Sequence, residues 1–221
     1  MQRLLALLLR FGACAGVSLK LPERFGLYGT RQSSGEQRGH KVHVEFFVMS
    51  KCPDAIACER AFGPVLQEMS DSVNVSFEYI RSTRGGAAEC MHGPSECEGN
   101  VQQLCAQAEA GSAAQLLDFV LCQGQNPSQI PQNGEECFAH AGYNTSRMMA
   151  CADGAEGQDM LLKSFDVSQS LGVRVSCTVQ INGQAFCAHD SDWVDCGACD
   201  AYADKGLCLR GRICELDPEA C

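Results

Sequence analysis

Cys52 stands where an apolar alternating run ends and a helical pattern begins, a position that separates it from the other cysteines of a chain holding 16. Val42, Val44, Phe46 and Val48 alternate with His43, Glu45, Phe47 and Met49, the period-two pattern of a strand with a buried face. Ser50-Lys51 breaks the run and Pro53 presets a first helical turn. Asp54 and Glu59 suit a helix N-terminus, and Ala55, Ala57, Ala61, Phe62 and Leu66 continue as helix. A sulfur at this junction faces unpaired backbone N–H groups and the positive end of the helix dipole, which favours thiolate over thiol. Cys52 is therefore a candidate nucleophile, set against the plainer reading of a half-cystine in a cysteine-rich chain.

A chain of 221 residues suffices for one domain with a core plus a small appendage. Its cysteine content fits an oxidising compartment. A net charge of -10 without clustered Lys and Arg argues against a nucleic-acid partner. Residues 1–15 combine a basic start, the apolar run 4–9 and the small triplet Ala13-Cys14-Ala15, and read as a signal peptide. Arg10 and the lack of acidic residues before Glu23 keep a mitochondrial presequence as the alternative. No later segment has the ~20 apolar residues of a membrane span. Loss of the leader removes Cys14 and leaves 15 cysteines, an odd number that requires at least one free, reactive or intermolecularly paired thiol.

Residues 16–41 read as a linker. Alternation resumes over 73–80 and gives a second strand, so that strand, helix and strand form the start of a βαβ unit. Asn74-Val75-Ser76 and Asn144-Thr145-Ser146 are N-glycosylation sequons. Cys90 and Cys97 bracket His92-Gly93-Pro94 in a tight loop, read as disulfide-closed; a metal site from Cys90, His92 and Cys97 lacks a fourth ligand. From about 95 to 170 the spacing predicts a helical insertion, with a break at Gly111-Ser112, stapled internally by Cys105, Cys122, Cys137 and Cys151. Residues 173–181 return to β character, and Asn182-Gly183 marks a hairpin whose returning strand, Ala185-Phe186-Cys187, closes the sheet. The domain thus runs from 42 to 188, and 189–221 is a cysteine-rich tail appended to it. In the tail, Cys196-Gly197-Ala198-Cys199 is open to structural disulfides, to redox activity, or to zinc binding with Cys208 and Cys214; structural staples are the preferred reading.

The run Cys90-Met91-His92-Gly93-Pro94-Ser95-Glu96-Cys97-Glu98-Gly99-Asn100 resembles the signature Cys-Gln-His-Gly-x-x-Glu-Cys-x-x-Asn of the gamma-interferon-inducible lysosomal thiol reductase family. Cys90, His92, Gly93, Glu96, Cys97 and Asn100 match it, and Met91 replaces Gln. The resemblance covers roughly 42–187 and implies an α/β, thioredoxin-like sheet with an inserted helical subdomain. Two departures bear on chemistry. Where the family has Cys-x-x-Cys, Cys52-Pro53-Asp54-Ala55 keeps only the first thiol, and Cys58, six residues on, is rotated away by about 9 Å of helix. Counting back from Asn182-Gly183 puts Cys177 where the resemblance implies a cis-proline facing the active cysteine, so Cys177 is expected opposite Cys52 as its resolving thiol, in preference to Cys58.

These observations support a thiol-disulfide oxidoreductase that reduces protein disulfides in the secretory pathway or the lysosomal lumen, with no cofactor and no metal. Its partners would be disulfide-bonded proteins and a resolving thiol, internal or small and external. His92 reads as a residue that holds its loop by hydrogen bonds, with proton transfer as the alternative. The competing function is a redox-inactive, disulfide-stapled binding protein of the same fold.

Overall fold

In the computed structural model, which describes residues 41–82 and 90–221, the first alternating run forms β1 (Val42–Val48). Phe46, Phe47 and Val48 are all inaccessible, so the strand is covered on both faces, as its continuous apolar end requires. The helix begins at Pro53 as α1 (Pro53–Glu68), and β2 (Val73–Tyr79) pairs parallel to β1 from Val42↔Val73 to Val48↔Tyr79. Five helices follow before the chain returns to the sheet: α2 (Pro94–Glu109), α3 (Ala113–Gln125), α4 (Gly134–His140), α5 (Thr145–Ala152) and α6 (Ala155–Ser170). The expected break is present, and Ser112 caps α3 by accepting the Gln115 N–H at 3.1 Å. Cys105–Cys151 and Cys122–Cys137 staple the block, while Phe119 and Phe138 stack with centroids 4.2 Å apart and Tyr143 edge-on to both.

The chain re-enters the sheet as β3 (Thr178–Ile181), turns through Asn182-Gly183, and returns as β4 (Gln184–His189). Both turn residues have positive φ, 50° and 73°, the type I′ geometry that matches strand twist. The Asn182 carboxamide also accepts the His43 N–H at 2.9 Å, tying the turn to β1. A further strand, β5 (Trp193–Val194), gives the order β2-β1-β3-β4-β5, with every pair after β2-β1 antiparallel. This is the expected thioredoxin-like α/β architecture with its helical insertion.

The sheet does not close at the hairpin as the sequence predicts, because β5 extends it by two residues, too few to show alternation. The last helix, α7 (Lys205–Leu216), lies against α1, and its Leu209 and Ile213 are inaccessible members of the main core. Asp204 caps α7 through the Leu207 N–H, and the Lys205 ammonium donates to the carbonyls of Cys199, Asp200 and Tyr202. The tail cysteines pair as Cys187–Cys196, Cys199–Cys208 and Cys214–Cys221, so Cys196 and Cys199 do not close on each other. The described residues fall within one compact unit.

Candidate active site

Cys52 is the N-cap residue of α1, with extended backbone (φ -73°, ψ 127°) and no side-chain capping bond, so its sulfur is left available at the helix entrance. Its N–H donates to Met49 O at 2.9 Å and its carbonyl accepts the Ile56 N–H at 3.1 Å. The Cys52 thiol lies 3.6 Å from the carbonyl oxygen of Ser176, to which it donates. The residue is 8% exposed. Among the described residues, seven disulfides take fourteen cysteines, and Cys52 is the one free thiol.

The signature loop builds the floor beneath the residues that deliver Cys52. Cys90–Cys97 is bonded, Gly93 adopts φ 89°, a conformation that favours glycine, and Pro94 opens α2. His92 Nδ1 pairs with Oε2 of the inaccessible Glu96, whose Oε1 accepts the His92 N–H at 3.2 Å. Asn100, also inaccessible, accepts the Ser50 N–H at 2.9 Å and points its amide at Cys90 Sγ, while Ser50 Oγ donates to Glu96 O. Gly99 permits this approach, since a Cβ there would lie 2.7 Å from Ser50 Oγ and 2.3 Å from Ile130 Cγ2. Lys51 Nζ donates to Ser95 Oγ and Ile130 O, both at 3.0 Å. Asn100→Ala would orphan the buried Ser50 N–H. We expect a loss of about 1–3 kcal/mol in urea unfolding; unchanged stability would show that Asn100 does not hold the loop.

On the opposite side, the Ser176-Cys177 peptide is cis, at the position where the resemblance implies a cis-proline. The Cys177 sulfur departs from expectation, because it is bonded to Cys58 of α1, with Cα atoms 6.3 Å apart, and not turned to Cys52. The rotation that carries Cys58 away from Cys52 points it at the sheet, where Cys177 is waiting. What meets Cys52 is the preceding residue, Ser176, whose Oγ also accepts the Met49 N–H at 3.0 Å.

His189 is a residue the sequence reading passed over. Its backbone exchanges both hydrogen bonds with Cys177, and its Nδ1 lies 2.6 Å from Asp54 Oδ1, which also accepts the Ser191 N–H at 2.8 Å. The ring stands edge-on to Trp193, with centroids 4.8 Å apart. Asp54 is thereby bound to the β4–β5 turn, and an imidazole is placed within the frame of the cis loop.

Glu59, one helical turn beyond Ala55, is 2% exposed and its Oε1 has no hydrogen-bond partner. Burial pushes its carboxyl up to about 8, with the Arg60 cation pulling the other way. His189 escaped the sequence because pairing across distant segments, which no local pattern encodes, defines it, whereas Glu59, expected at the helix N-terminus, lies beyond the first turn, where Asp54 is the acidic residue, and is buried.

Residues 43–141 match the family described as gamma interferon inducible lysosomal thiol reductase (GILT). No curated protein matches the chain. Among solved structures, oxidised Mtb DsbA is similar at 18% identity, over 82% of this chain and 85% of that one, with a TM-score of 0.54. Oxidised BdbD from Bacillus subtilis is similar at 14% identity, over 79% and 86%, with a TM-score of 0.50. At such identities the likeness concerns the fold, and it agrees with the thioredoxin-like sheet and its inserted helices. The family match contains Cys52, the whole signature loop and the first part of the helical insertion; over this segment the chain is similar to the GILT family, and it departs from Cys-x-x-Cys in lacking the second cysteine.

Proposed function

We propose that this chain is a thiol-disulfide oxidoreductase that reduces disulfides of protein substrates through Cys52, in the secretory or lysosomal lumen. The observation that carries the reading is a single free thiol at the entrance of α1, in a segment matching a thiol reductase family, while the other described cysteines are bonded. The Cys52 thiolate attacks one sulfur of a substrate disulfide, the second substrate sulfur leaves with the electron pair and takes a proton, and Cys52 is left in a mixed disulfide. Cys58 and Cys177, bonded to each other, offer no thiol to resolve it. An external thiol therefore completes the cycle. The seven disulfides support an oxidising lumen. Both sequon asparagines are exposed and support N-glycosylation: Asn74 lies on the outer strand β2, and Asn144 spends only its Oδ1 on capping α5, leaving the amide nitrogen.

The wild-type chain, incubated with a disulfide-bonded protein and no small thiol, is expected to accumulate a mixed disulfide at one equivalent per chain. Added thiol should release it, and Cys52→Ser should form none. Non-reducing electrophoresis with mass mapping of the bridge checks this. The second reading, a redox-inactive binding protein, draws on the 8% exposure of Cys52. Failure of native Cys52 to react with an alkylating reagent, together with no trapped substrate, would establish it in place of the enzyme.

A further inference from the structure

The reaction at Cys52 needs a thiol from outside the chain, and a cavity beside the site has the chemistry to hold one. This step rests on the reading of Cys52 as a reductase nucleophile. The cavity encloses about 400 Å³, within the roughly 300–1,000 Å³ of small-molecule sites. Met49 lines it and is bonded through its backbone to both Cys52 and Ser176. Arg174, which also lines it, lies two residues before Ser176, whose carbonyl meets the Cys52 thiol. Met49 and the Arg174–Ser176 segment therefore connect the cavity to the site.

Two guanidinium groups line this one cavity in a chain with 27 acidic and 17 basic residues. Neither has a carboxylate partner among the described residues, although Arg147, Arg210 and Arg212 are all paired. Arg81 sits over the Phe165 ring, 5.3 Å from its centroid, and its buried Nε has no hydrogen-bond partner. Ser168, 1% exposed on the same wall, has an Oγ that is likewise unpartnered. An unmet guanidinium donor of this kind, with a second guanidinium lining the same cavity, matches a carboxylate, which takes paired N–H bonds from Arg. The apolar remainder, from Met49, Phe165 and Val173, suits a short carbon stem.

We propose that this cavity binds the carboxylate of a low-molecular-weight thiol, which Arg81, Arg174 and Ser168 hold so that its sulfur can resolve the mixed disulfide on Cys52. The bound thiolate attacks Cys52 Sγ; the bond between Cys52 and substrate breaks, and the substrate sulfur leaves with the electron pair and is protonated. A second small thiolate attacks the small-molecule sulfur now bonded to Cys52 and releases the Cys52 thiolate and a small disulfide. One substrate disulfide and two thiols become a substrate dithiol and one small disulfide, so the electrons balance.

The test compares 3-mercaptopropionate with uncharged 2-mercaptoethanol as reductants of a protein disulfide. Wild type should prefer the carboxylate thiol in kcat/KM, relative to the uncatalysed rates of the two thiols. Arg174→Ala, at an exposed position, should reduce that preference by about tenfold, the effect of one charge-assisted contact of ordinary strength; Arg81→Ala should act in the same direction. An equal fall with both thiols would assign the arginines to the protein substrate and overturn the proposal, as would an unchanged preference. A second measurement is independent of turnover: titration of Cys52→Ser with unreactive 3-(methylthio)propionate should show saturable binding that Arg174→Ala weakens. No binding overturns the carboxylate site. Binding without turnover by any thiol upholds the site and removes the reductase reading of Cys52.

Discussion

Replacing Cys58 and Cys177 together by alanine is expected to lower the free energy of unfolding by about 2–5 kcal/mol, and to leave the first step at Cys52 intact. The bond closes a sequence separation of 119 residues, long enough that the chain-entropy account places it near the top of that range. It joins α1 to the loop that presents Ser176 to Cys52, and both half-cystines are inaccessible. Chemical unfolding under non-reducing conditions measures the loss. Mixed-disulfide formation per folded chain, measured beside it, separates the structural role from a resolving one. A structural bond predicts the same trapping by variant and wild type. If wild type turns over without accumulating a mixed disulfide and only Cys177→Ala accumulates one, Cys177 is the resolving thiol and exchanges partners during the cycle.

Stability is expected to fall as pH rises from about 5 to 8, and Glu59→Gln should flatten much of that fall. Burial raises the Glu59 carboxyl from its ordinary 4.5 to about 8, so the folded state keeps a proton that the unfolded chain releases between those values. The contribution is fully present below about 4.5 and is lost progressively as pH rises toward 8. At about 1.4 kcal/mol per pH unit, the window is worth several kcal/mol. Burial also raises the half-buried Glu78, opposed by its hydrogen bond from Ser164 and assisted by Glu45, a smaller effect of the same sign. Gln resembles the protonated acid and cannot ionise, so its stability should be flatter across the window. Urea unfolding at a series of pH values reads the slope directly. A slope unchanged in Glu59→Gln would show that Glu59 already ionises in the folded protein.

Local pattern sufficed wherever one segment carries its own signal. The period-two run into Pro53 located β1, α1 and Cys52 between them, and the Gly111-Ser112 break located the boundary between α2 and α3. Asn182-Gly183 located the hairpin, and the Cys90 to Asn100 run carried the family resemblance. Tail packing was not legible: Leu209 and Ile213 are two apolar positions among cysteines and charges, too few for a helical stripe, yet α1 provides a surface that buries both completely.

The cysteine chemistry divides in the same way. From the sequence alone came a candidate nucleophile at a helix entrance and the absence of a second thiol at position 55. The tertiary structure decided the rest, because pairing between distant segments depends on register and side-chain direction. A bulge between Val179 and Gln180 shifts the β3–β4 register by one residue, so that His189, and not the Ala188 that counting from the turn selects, lies opposite Cys177. The direction of Cys58 from α1 then claims the Cys177 sulfur, and Cys52 is left as the one thiol among the described residues without a bond.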